Sequence, residues 1–208
     1  MNNKISLARI VGHLMADGYV SKRYLRYNNK NQSLIDNFKL HFLICFPNIH
    51  FIYGKTNSGT SFVQVQNKNI INFLFNLCKD FRSTNLVFPD FVNTIEMKKE
   101  FIGAIFDDEG CVALRIYKKT KEIKRNLDMA SKSKKFLEDI KNILENDFNI
   151  KCNNIIEFKR KLNNKEFTTH KLSITGKENF IRFREAINFV HPDKIKKLDL
   201  MINSYIRK

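Results

Sequence analysis

The sequence predicts an α+β protein built from two diverged copies of one unit, related by an internal pseudo-twofold. Three observations predict it. Two helix-like segments, 7–18 and 99–110, each end in an acid followed by Gly. Each opens a succession of period-two strands and 3.6-period helices. The second succession matches the first position by position, the signature of an internal duplication.

The opening helices read LARIVGHLMADG and KEFIGAIFDDEG. Aligning Asp17 with Glu109 sets Gly12 against Ala104 and Gly18 against Gly110. Downstream, Asn29-Lys30 before SLIDNFKLHFL matches Ser131-Lys132 before SKKFLEDIKNIL, and VQVQNKNIINF (63–73) matches LSITGKENFIRF (172–183). The order is helix, strands, helix, strands, helix, stated twice. The halves are 1–95 and 96–208. The first hairpin is the shorter: 13 residues separate Asp17 from Lys30, and 23 separate Glu109 from Lys132.

The strands alternate. Val112, Leu114 and Ile116 oppose Ala113, Arg115 and Tyr117; Leu127 and Met129 oppose Lys124, Asn126 and Asp128; Leu172 and Ile174 oppose Lys171, Ser173 and Thr175; Val63 and Val65 oppose Phe62, Gln64 and Gln66. Segments 33–45 and 133–146 carry apolar residues at i, i+3 and i+4. Each half therefore reads as a sheet with helices on one face and a polar, basic second face.

The basic excess says what that face meets. Lys and Arg number 37 against 21 acids, a net charge of +16 and a pI near 9.7. The excess is +7 in the first half and +9 in the second, so both halves face one long polyanion, and nucleic acid is the expected partner. No run of about 18 apolar residues could span a bilayer. The N-terminus lacks the apolar core and cleavage site of a secretory signal. The four cysteines (Cys45, Cys78, Cys111, Cys152) form no CxxC pair, which predicts buried, reduced thiols and an intracellular, DNA-associated location.

The acid-ended helices carry the chemistry. Ala8, Gly12 and Ala16 fall at i, i+4 and i+8, a stripe that lets a second helix approach closely. Gly18 and Gly110 suit left-handed C-caps. Asp17 and Glu109 then stand at helix C-termini, where the dipole disfavours negative charge. If the helices pack, the carboxylates meet. A hard divalent cation with oxygen ligands, such as Mg²⁺, neutralises such a pair and accepts phosphate oxygens. That arrangement suits phosphodiester cleavage by metal-activated water.

IVGHLMADG (10–18) and IGAIFDDEG (102–110) resemble the two signature motifs of the LAGLIDADG homing endonucleases, and 173–198 resembles that family's closing segment. The resemblance implies two αββαββα halves whose antiparallel sheets saddle double-stranded DNA, in a single chain acting as a monomer. It implies a site-specific double-strand cut across the minor groove with 3′ overhangs and a long asymmetric target. The eighth motif position, the metal-binding acid, falls on Asp17 and Glu109, with the carbonyls of Ala16 and Asp108 as further ligands to Mg²⁺, or Mn²⁺ as substitute. Asp107 takes a structural position. Lys194 matches a basic residue near the metals, and its first-half counterpart is Lys79 or Arg82. Asn29 and Ser131 hold the place of a polar active-site residue, with Lys30 and Lys132 adjacent. Two positions depart from the motif: His13 stands where the family is often apolar, and Met15 where it often has Asp. His13 reads as a packing or surface residue.

Base contacts are expected from Arg23, Arg26 and Gln64 in the first half. In the second they are expected from Arg115, Tyr117, Lys119, Lys124, Lys159, Lys161 and Lys171, with more reach through the longer hairpin. Two other roles share this fold: an intron-RNA-binding maturase and a regulator that binds DNA without cutting. Intact acids favour cleavage. The absence of flanking splicing blocks favours an intron-encoded or free-standing gene over an intein.

Overall fold

A computed structural model describes residues 2–117, 119–120, 122–162 and 165–205. The first half runs α1 (Asn2–Ala16), β1 (Gly18–Val20), β2 (Leu25–Asn29), α2 (Gln32–Cys45), β3 (Ile52–Lys55), β4 (Ser61–Val65), α3 (Lys68–Leu77). The second runs α4 (Ile95–Glu109), β5 (Cys111–Ile116), β6 (Ile123–Ser131), α5 (Lys134–Asn146), β7 (Ile156–Leu162), β8 (Lys165–Ile174), α6 (Lys177–Ala186), and adds α7 (Pro192–Asn203). The two antiparallel sheets have the same strand order, β1-β2-β4-β3 and β5-β6-β8-β7.

Local chemistry starts the helices at matching places. The side chains of Asn31 and Ser133 accept N–H groups of the first turns of α2 and α5, from Ser33 and Phe136, and Thr94 caps α4 through Met97 N. The inward strand positions, Leu25, Tyr27, Val63, Val65, Leu127, Met129, Leu172 and Ile174, join α1, α2, α4 and α5 in one apolar core that spans both halves.

The halves are not equal. Both second-half hairpins are longer: β7 and β8 have 7 and 10 residues where β3 and β4 have 4 and 5. After α3 the first half has no further helix among the described residues; loop 78–94 instead buries Leu86 and Val92, and Leu86 O accepts the Ser133 hydroxyl at 2.8 Å. Two expectations are corrected. Ile116 is 65% exposed because β5 runs past the helical cover, and Cys111 is an exposed thiol while Cys78 is buried.

Candidate active site

Helices α1 and α4 cross at Gly12. A Cβ there would stand 2.7 Å from the Phe101 carbonyl oxygen and 2.8 Å from Ala104 Cβ, so only glycine permits this approach. The left-handed C-caps do not occur. Gly110 is extended (φ −72, ψ 142), and the glycines with positive φ are Gly59 and Gly176. Gly18 and Gly110 are needed for space: the chain folds straight from helix into strand, and a Cβ would strike the backbone of Leu14 or Phe106.

The crossing brings Asp17 and Glu109 to one end of the helix pair. Solvent reaches both side chains. Desolvation by the packed helix ends, then the charge of Asp108, raises Asp17 to about 6, against the opposing pull of Lys194. Desolvation, then the charges of Asp17 and Asp108, raises Glu109 to about 6. Burial first, and the neighbouring acids second, make both groups resist ionising, and a cation at this end would relieve that.

The carboxylates open into different cavities. Asp17 lines one of about 440 Å³ with Asn28, Asn29, Lys30, Asp108, His191 and Lys194. Glu109 lines one of about 310 Å³ with Ser131 and Lys132, and its remaining wall includes Met15, Ala16, Leu86, Ile105 and Met129. Asn29 Nδ2 donates to Asp17 Oδ2 at 3.3 Å and to Asp108 Oδ1 at 3.1 Å. Ser131 Oγ accepts Ser133 N.

The neighbouring acids differ from one another. Asp107 is buried; it receives the N–H groups of Val190 and His191 (2.9 and 3.0 Å to Oδ1) and pairs with buried Arg9, so it ties α4 to the start of α7. The Asp108 carboxylate is also fully enclosed, held by Tyr27 Oη at 2.7 Å and His13 Nδ1 at 2.8 Å. Burial pushes Asp108 up to about 8 and His13 down to about 3, driving both toward neutral forms. His13 is a fully enclosed packing residue, with Nδ1 held by Asp108, and not a surface residue.

Lys194 Nζ donates to the carbonyls of Phe106, Asp107 and Asp108 at 3.0, 2.6 and 3.4 Å. It places a cation on the negative end of α4. The Asp108 carbonyl, expected to face a metal, faces this ammonium instead. The first-half counterparts do not gather at the acids. Arg82 is exposed and held by Asp80 at 2.5 Å; Lys79 lines a separate cleft beside Met15. Loop residues Ser83 and Leu86 line the Glu109 cavity in their stead.

Among the described residues no group of three or more His, Cys, Asp or Glu side chains could enclose a metal ion. The donors present nevertheless fit a hard divalent cation that keeps most of its waters: two exposed carboxylates, plus Asn28 Oδ1, a buried acceptor without a protein partner in the Asp17 cavity.

On the outer sheet faces, Arg115 and Lys124 are cross-strand partners, and Tyr117 and Lys119 stand exposed beyond them. Lys171 shares that face, 3.7 Å from Asp128 and over the Phe158 ring. The register places Lys159 on the opposite face from Lys171, paired with Glu157 and Glu166; Arg160 takes the outer position. The side chain of Lys161 lies outside the described residues. Arg23 and Lys30 of the first half and Lys132 of the second lie at the surface, whereas Gln64 is buried and its Oε1 accepts Arg26 Nη2 at 2.6 Å. Arg26 also lies 4.1 Å over the Phe62 ring.

Sequence reading did not find Tyr27, Arg9 or Asn28. The one available signal was the i, i+4 pair Arg9 and His13, two polar residues in the apolar stretch 7–16, with acids opposite in DDE.

Residues 96–188 match the family model described as LAGLIDADG-like domain. Over 202 residues the chain is 27% identical to the glutamine–fructose-6-phosphate aminotransferase (isomerizing) of Methanocaldococcus jannaschii, covering 95% of this chain but only 17% of that protein. In structure it is similar to the homing endonuclease I-DmoI solved with DNA and Ca (TM-score 0.65, 16% identity, 96% of this chain and all of that one). It is also similar to full-length DUF199/WhiA from Thermatoga maritima (TM-score 0.61, 15% identity, 100% and 62%). Residues 96–188 thus resemble a LAGLIDADG-like domain, and the whole chain shares the α+β fold of the solved LAGLIDADG homing endonuclease.

Proposed function

We propose that the chain is a divalent-metal-dependent, site-specific double-strand DNA endonuclease. The observation that carries this is the meeting of Asp17 and Glu109, one from each copy, both raised to about 6 at the open end of a glycine-permitted helix crossing. Structural stability alone gives no reason to oppose two acids there. A bound Mg²⁺ or Mn²⁺ supplies Lewis-acid stabilisation and a water of lowered pKa. Asp17 and Glu109 hold the cation. Asn29 orients Asp17. Lys194 lowers the negative potential of the α4 end, and Lys30 and Lys132, at the rims of the two cavities, draw in the backbone phosphates. The outer sheet faces supply base contacts in a groove. The protein acts as a monomer, since the two copies already form the pair, on intracellular DNA.

The test is incubation with a random DNA library and Mg²⁺, followed by sequencing of the new ends. Double-strand cuts at one long site, absent in Asp17→Asn and Glu109→Gln, are expected. Tight DNA binding without cuts in Mg²⁺ or Mn²⁺ would make it a non-cleaving binder, and preferential affinity for structured intron RNA a maturase.

A further inference from the structure

One buried assembly goes unused in that account. Asp108 Oδ1 meets Tyr27 Oη at 2.7 Å and Asn29 Nδ2 at 3.1 Å, and its Oδ2 meets His13 Nδ1 at 2.8 Å. The side chains of His13 and Asp108 are 0% exposed and Tyr27 is wholly buried. Asn29 Nδ2 also touches Tyr27 Oη at 3.2 Å and Asp17 Oδ2 at 3.3 Å, while its Oδ1 accepts Asn31 N at 2.9 Å. Fixing the amide from both ends leaves it one orientation, with an N–H directed at Asp17.

The chain contains its own control. By the internal alignment, the equivalents of His13, Asp108 and Tyr27 in the other compartment are Ile105, Ala16 and Met129, all of which line the Glu109 cavity. The same helix crossing and the same strand position are thus built there from apolar residues alone. A buried acid with polar partners is a costly way to fill such a space. The fold does not require it, so the assembly serves the Asp17 side specifically.

We propose that Tyr27 and Asp108, with His13 behind them, are positioning residues that hold Asn29 against Asp17, so that the two strand-cutting compartments are chemically unequal. The compartment of Asp17 has a rigid polar floor; that of Glu109 has an apolar one. The idea rests on the endonuclease reading, and it makes the balance between the two strands a property of residues that touch neither DNA nor metal.

Two variants test it. Tyr27→Phe deletes one hydroxyl and keeps the ring that stacks on Phe38. The triple change His13→Ile, Tyr27→Met, Asp108→Ala copies the apolar set that already packs in the other compartment. Strand-resolved single-turnover cleavage of end-labelled target is measured with Mn²⁺ affinity, by EPR titration without DNA, and melting temperature. Losing an outer-shell partner should lower Mn²⁺ affinity and the rate on one strand by about 10- to 100-fold, with the other strand changed far less. The ratio of the two nicking rates is decisive, since a purely structural defect lowers both strands together. Parallel loss on both strands, or unchanged ratio and Mn²⁺ affinity in folded variants, overturns the proposal. A wild-type chain that binds DNA and Mn²⁺ but cuts neither strand overturns the endonuclease reading alone; the Mn²⁺ titration still decides whether Asp17 is positioned this way.

Discussion

At the scale of single residues, Asp17 and Glu109 stand where burial and neighbouring acids oppose their ionisation. Both have folded values near 6, above those of unfolded carboxyls, so the folded chain binds the extra protons. Their contribution to stability is present in acid and is lost as pH rises through about 6. Asp17→Asn should therefore raise the melting temperature of the metal-free protein at pH 8, and the gain should vanish near pH 4; calorimetry across that range checks it. Metal needs the deprotonated acids, so Mn²⁺ affinity should fall as pH drops below about 6, a titration by EPR. Asp107 has a structural place. Asp107→Ala removes one of the two acids that pair buried Arg9, leaving Glu100 at 3.3 Å, and strips two backbone N–H groups of their acceptor, so it should cost about 2–4 kcal/mol in urea unfolding. The two exposed acids were legible in the sequence because each repeats before a glycine. Tyr27 was not, because an inward tyrosine on an alternating strand looks like core until its hydroxyl is seen to have a buried partner from the other half.

At the scale of elements, the helices and the succession of elements along the chain could be read from period and repeat, whereas strand order within each sheet and strand ends could not. Alternation assigns a face only where a helix covers the sheet. Past that cover Ile116 emerges into solvent, and Lys159 falls on the opposite face from Lys171. Glycines were placed correctly and explained wrongly: Gly18 and Gly110 serve space, not positive φ, a distinction that depends on how sharply helix turns into strand. Gly12 sets the spacing of the whole crossing. Gly12→Val should destabilise by about 1–3 kcal/mol through overpacking against Phe101 and Ala104, read from denaturant midpoints, and should weaken metal binding by parting the acids.

At the scale of the molecule, a charge of +16 shared by both halves would make the proposed DNA affinity steeply salt-dependent. With six or more phosphate contacts, affinity should drop about 10³-fold or more between 50 and 200 mM salt, measured by fluorescence anisotropy. Both second-half hairpins are longer, so a hydroxyl-radical footprint should extend farther from the cut on that side, and a symmetric footprint would contradict this. The buried His13–Asp108 contact has a different kind of consequence. Each half presents half of a polar pair that its own copy cannot complete: two second halves would set Asp108 against Ile105, and two first halves would set His13 against Ala16. The mismatch leaves a buried polar group unanswered in either like-with-like pairing.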